Sequence, residues 1–178
     1  MSANRIESPD AAPAGWQPAY VALGSNLDGP LEQVQRAFAA LAQLPRTLLV
    51  ARSPLYRTVP LVGETGERAP PAYVNAAAGL LTRLSPEELL GELRRVEREL
   101  CRAPARERWA RRRIDLDLLV QGRETRATQT LTLPHPGIAE RDFVLYPLAD
   151  IAPDLEIPGL GRVASLRARV ANRGMERL

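Results

Sequence analysis

Arg108-Trp-Ala-Arg-Arg-Arg-Ile-Asp-Leu-Asp-Leu-Leu-Val120 is the stretch on which the reading of this chain turns. From Ile114 onward apolar and acidic residues alternate with period two, the signature of a β-strand. Asp115 and Asp117 therefore share one face, and Ile114, Leu116 and Leu118 share the other. The two aspartates stand about 6.5–7 Å apart at Cα, two strand rises. From there their carboxylates can converge on hard cations that prefer oxygen ligands. A solvated strand face is the competing reading. Aspartate is disfavoured in strands, however, and two at i and i+2 repel each other unless a cation relieves them. Just upstream, seven arginines fall between Arg98 and Arg113. Guanidinium suits phosphate oxygens, although a solvated basic loop would look the same. Carboxylates for magnesium beside guanidinium for phosphate are the parts from which a nucleoside triphosphate site is built.

Working outward, Ala19–Leu23 reads as a buried strand and Gly24–Gly29 as a turn. Pro30 opens a helix whose apolar positions are Leu31, Val34, Phe38 and Leu41, and Pro45 ends it. Thr47–Thr58 reads as one strand, 59–72 as a long loop rich in Pro, Gly and Glu, and Tyr73–Thr82 as another strand. Ser85-Pro-Glu-Glu88 carries a capping box with proline at the first helical position. Leu89, Leu93, Val96 and Leu100 mark the buried side of that helix. Arg102–Arg112 breaks the pattern as a second loop before the acidic strand. Gln121–Glu124 then turns into a strand at about 129–133. Apolar segments follow at 143–148 and at 163–170, the latter a terminal helix. The order β-α-β-β-α-β predicts an α+β fold: a ferredoxin-like antiparallel sheet with helices packed on one face and an extra C-terminal hairpin and helix.

A length of 178 residues bounds this to one domain with a real core. Residues 1–17 are expected to be a disordered tail, with a single domain over 18–178. The 24 basic residues are all arginine. A phosphate loop of the Gly-Lys-Ser/Thr type and a lysine Schiff base are therefore excluded. Cys101 is the only cysteine, which rules out an intrachain disulfide and fits a reducing compartment. No apolar run reaches the roughly 18–20 residues of a membrane span, and the N-terminus lacks a secretory h-region, so the cytoplasm is expected.

Other residues carry possible chemistry. Tyr73 and Asn75 share a strand face, where a ring can stack on a flat heterocycle and an amide can read its edge; without a ligand they are an ordinary strand pair. His135, the only histidine, lies between two prolines and is a structural hydrogen-bonding residue, a base or a phosphate contact. Glu97 can be solvated, paired with an arginine or used on a ligand. Trp109 can stack on a base, seal a lid or anchor its loop.

Several motifs, in order, resemble the 6-hydroxymethyl-7,8-dihydropterin pyrophosphokinase family. They are Tyr20-Val-Ala-Leu-Gly-Ser-Asn26, Ser53-Pro-Leu-Tyr-Arg-Thr58, Tyr73-Val-Asn-Ala-Ala77, Arg108-Trp109, Arg112-Arg-Ile-Asp-Leu-Asp117, Leu133-Pro-His-Pro136 and Arg141-Asp-Phe-Val-Leu-Tyr-Pro147. The resemblance implies transfer of pyrophosphate from ATP to the hydroxymethyl group of a dihydropterin, with two magnesium ions. It implies that Asp115 and Asp117 bind the metals and that Arg102 and Arg112 are catalytic. Thr58, Tyr73, Asn75 and Phe143 would bind pterin. Glu97, Arg108, Trp109, Leu118, Thr132, His135 and Arg141 would surround ATP, Leu118 and Thr132 through their backbones. ATP and a dihydropterin are the expected partners of a monomer, without nucleic acid or membrane.

The chain departs from the family pattern in the arginine-rich loop. Cys101 stands in place of a glycine, Pro104 in place of an arginine, and Ala110-Arg111 in place of Gly-Pro. Proline and lost glycine stiffen a loop, so a catalytically impaired relative is one alternative. An RNA-binding module built on a basic ferredoxin-like sheet is another. With Phe38 and Phe143 its only phenylalanines and no RNP1 pattern, the chain fits that poorly.

Overall fold

The computed structural model describes residues 15–58, 71–101 and 114–178. Strand β1 (Gln17–Ser25) is an inner strand of a six-stranded antiparallel sheet. Helix α1 (Pro30–Leu41) follows, then β2 (Thr47–Arg52), β3 (Tyr56–Thr58), β4 (Tyr73–Thr82), α2 (Pro86–Leu100) and β5 (Asp115–Gln121). Next come β6 (Arg126–Ala127), β7 (Thr132–Leu133), α3 (Asp142–Ile151), β8 (Glu156–Ile157), β9 (Gly161–Arg162), α4 (Val163–Arg169) and β10 (Glu176–Arg177). The strand order is β10-β3-β4-β1-β5, with β2 also on β4.

β1 is apolar on both faces because both are covered. Ala19, Val21 and Leu23 join Val34, Phe38, Leu89 and Leu93 in one core under α1 and α2. Tyr20 joins Ala77, Val120, Val144, Leu145 and Leu148 in a second core on the opposite face. Burial pushes the Tyr20 phenol up to about 12. The expectation of helices on one face is thus corrected: α3 and α4 form a third layer. The apolar side of the sheet's inner strands demands it, since an uncovered Tyr20 or Ala77 would meet water. α2 starts as the capping box dictates: Ser85 Oγ accepts from Glu88 N at 3.2 Å, and Glu88 Oε2 accepts from Ser85 N at 2.7 Å. The Ser85 backbone bond, aided by Arg46, holds the Glu88 carboxyl below its usual range.

Other expectations also shift. Thr47–Thr58 is broken at Ser53, whose Oγ accepts from Ala77 N at 2.8 Å in place of a backbone rung; Pro54 has no N–H to continue the ladder. Of the strand expected at 129–133 only Thr132–Leu133 is extended, as β7; the residues before it form a bend, closed by Thr128 and Leu131, that joins β6 to β7. Leu31 is exposed rather than on the buried side of α1. The loop expected over 59–72 lies, apart from Pro71 and Ala72, outside the described residues, as does all of 102–112. So do the first fourteen residues of the expected tail. No helix among the described residues is long and apolar enough to cross a membrane.

Candidate active site

The sheet itself sets out the site. The pairing registers align Tyr56 with Asn75, Asn75 with Gly24, and Gly24 with Asp115, in a row across β3, β4, β1 and β5. One step along, Asp117 stands opposite Ala22. The two aspartates therefore flank the smallest residues of β1. Both are exposed, while Ile114, Leu116 and Leu118 are buried, as the alternation requires. A cavity of about 540 Å³ opens over this row. Its floor is Ala22–Gly24, its acidic end Asp115 and Asp117, and its aromatic walls Tyr73 and Phe143. Thr58, Asn75 and Arg141 also line it.

Gly24 is required by close approach: a Cβ there would come 3.1 Å from Asn75 Oδ1. Asn75 is 6% exposed and donates through Nδ2 to Thr58 Oγ1 at 2.8 Å. Tyr73 and Phe143 are each 37% exposed, and both line the cavity. Arg141 packs its guanidinium 5.8 Å from the Phe143 ring centroid and lies against Gly137. The cavity therefore has an aromatic slot with a hydrogen-bonding edge at one end and two carboxylates at the other. A flat heterocycle and a metal-bound polyphosphate fit that division.

Glu97 has a defined use: its Oε1 accepts from the Leu116 N–H at 2.8 Å. Among the described residues β5 ends the sheet and this donor has no strand partner, and the carboxylate from α2 supplies one between the two aspartates. Glu97 thus anchors the strand that carries the acidic pair.

His135 is half-buried and follows the cis Leu133–Pro134 bond. Its N–H donates to Leu119 O at 2.9 Å, and Nδ1 accepts from Gly137 N at 3.1 Å. The neutral ring consequently carries its proton on Nε2. Burial pushes its pKa down, Arg141 lowers it further, and Asp117 opposes both. The side chain of Leu118 is in the core, so only its backbone faces outward, and Thr132 is exposed on β7. Neither they nor Glu97 and His135 line the cavity. Arg102, Arg108, Trp109 and Arg112 lie outside the described residues.

Sequence reasoning passed over Gly24 as a simple turn residue, and did not reach Asp142, Arg173 and Met175, which also line the cavity. The need at Gly24 shows only once β1 and β4 are paired, because it comes from Asn75 opposite it in the register. The last three sit where no periodicity signals a role.

The metal preference can be tested on the donors present. Among the described residues no group of three or more His, Cys, Asp or Glu side chains forms a closed cage. Two carboxylates opening on a cavity suit magnesium, which keeps waters and substrate phosphates in its shell.

Known proteins point the same way. The family model described as 7,8-dihydro-6-hydroxymethylpterin-pyrophosphokinase matches residues 20–153. A 2-amino-4-hydroxy-6-hydroxymethyldihydropteridine pyrophosphokinase of Haemophilus influenzae is 43% identical over 160 residues, covering 90% of this chain and 97% of the relative. Its counterpart in Pseudomonas aeruginosa is 45% identical over 162 residues, covering 91% and 97%. Among solved structures, Plasmodium falciparum HPPK-DHPS with pteroate superposes with a TM-score of 0.65 at 14% identity. That likeness concerns the fold alone; it covers 86% of this chain, which spans only 42% of that one.

Proposed function

The chain belongs to the 7,8-dihydro-6-hydroxymethylpterin-pyrophosphokinase family, and from that premise we propose how its residues divide the work. The protein is a pyrophosphokinase of folate biosynthesis: it moves a pyrophosphoryl group from ATP to 6-hydroxymethyl-7,8-dihydropterin and releases AMP. One observation carries the assignment of roles. Thr58, Tyr73, Asn75 and Phe143 share a single cavity with Asp115, Asp117 and Arg141.

Tyr73 and Phe143 hold the pterin ring by its faces, while Asn75 and Thr58 read its edge. Asn75 owes its orientation to Thr58 and to the missing side chain of Gly24. Asp115 and Asp117 hold two magnesium ions, held in place by the Glu97 grip on β5. When bound, magnesium would supply positive charge against the phosphates. Arg141 takes a phosphate, as do Arg102, Arg108 and Arg112; Trp109, His135 and the backbones of Leu118 and Thr132 complete the ATP site. Arg102 and Arg112 meet the charge that develops in transfer.

The hydroxymethyl oxygen forms a bond to the β-phosphorus in line and gives up its proton to solvent, and the bond from that phosphorus to the α–β bridging oxygen breaks, that oxygen leaving on AMP. The chain's part is to align the two substrates, exclude water and match charge. The strand order β5-β1-β4-β2/β3, antiparallel throughout, supports the ferredoxin-like reading of the sheet. Cover of the second sheet face by α3 argues against the RNA-binding alternative, which needs that face for stacking. We take the enzyme to act as a cytoplasmic monomer with one domain over 18–178.

Phosphorus NMR on a mixture of protein, ATP, magnesium and the dihydropterin tests the assignment. AMP and a pterin diphosphate are expected in equal amounts. ADP with a pterin monophosphate, or no pterin-dependent AMP, would overturn it.

A further inference from the structure

The C-terminal segment Asn172–Leu178 returns to the site. β10 pairs with β3, Glu176 opposite Arg57 and Arg177 opposite Tyr56, and Leu178 N donates to Leu55 O at 2.9 Å. The segment thereby extends the sheet beside the strand that ends in Thr58. Before it lies a closed turn. Asn172 Oδ1 accepts from Gly174 N at 3.0 Å and Met175 N at 2.6 Å, and Asn172 Nδ2 donates to Met175 O at 3.1 Å. Gly174 has φ +92, which a side chain would strain.

A second tie comes from α3. Asp142, 7% exposed, accepts from Phe143 N at 2.8 Å through Oδ1 and from Arg173 N at 2.9 Å through Oδ2. One buried carboxylate thus joins the aromatic wall of the cavity to the terminal turn. Met175, also 7% exposed, borders the cavity together with Arg173 and Asp142.

We propose that the terminal turn Asn172–Met175 is a wall of the acceptor pocket, with Met175 against the bound dihydropterin and Asp142 as the positioning residue that fixes this wall to Phe143. The inference rests on reading the cavity as the dihydropterin site. A thioether is polarizable and packs well on a ring. It completes, from the sheet edge, a slot that Tyr73 and Phe143 leave open.

Calorimetric titration of full-length protein tests this, with 6-hydroxymethyl-7,8-dihydropterin added in the presence of magnesium and a non-hydrolysable ATP analogue. Met175→Ala should weaken pterin binding about tenfold, as loss of pocket-filling methylenes does, while the affinity for the ATP analogue alone stays that of the wild type. Met175→Leu should restore most of the loss. Asp142→Asn, which replaces one accepting oxygen by an N–H, should raise the pterin Kd and the pterin KM without changing the KM for ATP. Unchanged pterin affinity in Met175→Ala and Asp142→Asn would overturn the proposal. So would pterin and nucleotide affinity falling together, or a loss that leucine does not rescue. A wild-type chain that takes up no dihydropterin would instead remove the acceptor assignment on which the proposal stands.

Discussion

Replacing Glu97 should damage the site without touching a residue that lines it. Its Oε1 accepts the Leu116 N–H at 2.8 Å, between the two aspartates and at the open edge of the sheet. A hydrogen bond to a charged group contributes about 1.5–3 kcal/mol net, and a neutral one about 0.5–1.5 kcal/mol. Glu97→Ala should therefore cost about 1.5–3 kcal/mol, and Glu97→Gln, which keeps an acceptor, roughly half as much. For a chain of this size each kcal/mol moves Tm by about 2–4 °C, so alanine should lower it by about 3–12 °C. Freeing β5 also loosens both carboxylates, and a displacement near 1 Å can cost about 100-fold in rate. Differential scanning calorimetry in metal-free buffer, with AMP release measured on the same samples, reads both effects. The expected ranking is wild type, then Gln, then Ala in each. An alanine variant with unchanged Tm and a raised KM for ATP alone would refute the backbone anchor and place Glu97 on the nucleotide instead.

Other perturbations separate neighbouring parts of the site. At Gly137 a Cβ would come 2.7 Å from Cζ and Nε of Arg141, the far end of a flexible side chain. Gly137→Ala should thus displace the guanidinium at little cost to stability, within about 0.5 kcal/mol, and raise the KM for ATP while leaving the pterin KM unchanged. Because His135 is the only histidine, proton NMR follows it without assignment. In metal-free protein it should titrate below 6.5, lower still in Asp117→Asn and higher in Arg141→Ala, since Asp117 raises and Arg141 lowers it. A depressed folded pKa means that the unfolded chain binds the proton first. The stability carried by the neutral ring is therefore full above 6.5 and lost as pH falls through the folded pKa. A titration above 6.5 would show that burial does not dominate. Tyr56 donates to Asp150 Oδ2 at 2.6 Å, linking β3 to α3, and burial with this bond pushes its phenol up to about 12. Tyr56→Phe should cost about 0.5–1.5 kcal/mol, read as a lower denaturant midpoint; an unchanged midpoint would show that the link carries no stability.

How much of this was legible in the sequence depended on whether a local rule spoke for each residue. The acidic strand was legible because alternation fixes the faces of Ile114–Leu118 once a core exists. The start of α2 was legible because a capping box is a local exchange of hydrogen bonds between Ser85 and Glu88. Tyr73 and Asn75 were brought together by period two, and their meeting with Phe143 came only through the resemblance, since α3 crosses from a distant part of the chain. The third layer was not legible because a short apolar segment such as 143–148 does not say which sheet face it covers. Met175 and Asp142 were missed for the same reason: their tie joins residues 31 apart in sequence, Asp142 and Arg173, and the terminal strand finds its partner at Tyr56 and Arg57. Glu97 was seen, but not that it would take a backbone N–H, because the vacancy at Leu116 exists only where β5 ends the sheet.

Asp117 is the residue that most directly tests the metal end of the site. Asp117→Ala should retain the wild-type Tm to within a few degrees, because the side chain is exposed and faces the cavity. It should still bind the dihydropterin, whose proposed pocket residues lie on β3, β4 and α3. Pterin-dependent AMP formation at saturating ATP and magnesium should fall by about 1,000-fold or more. A folded Asp117→Ala protein that releases AMP at the wild-type rate would contradict the assignment of the acidic strand as the metal and phosphate end of the site.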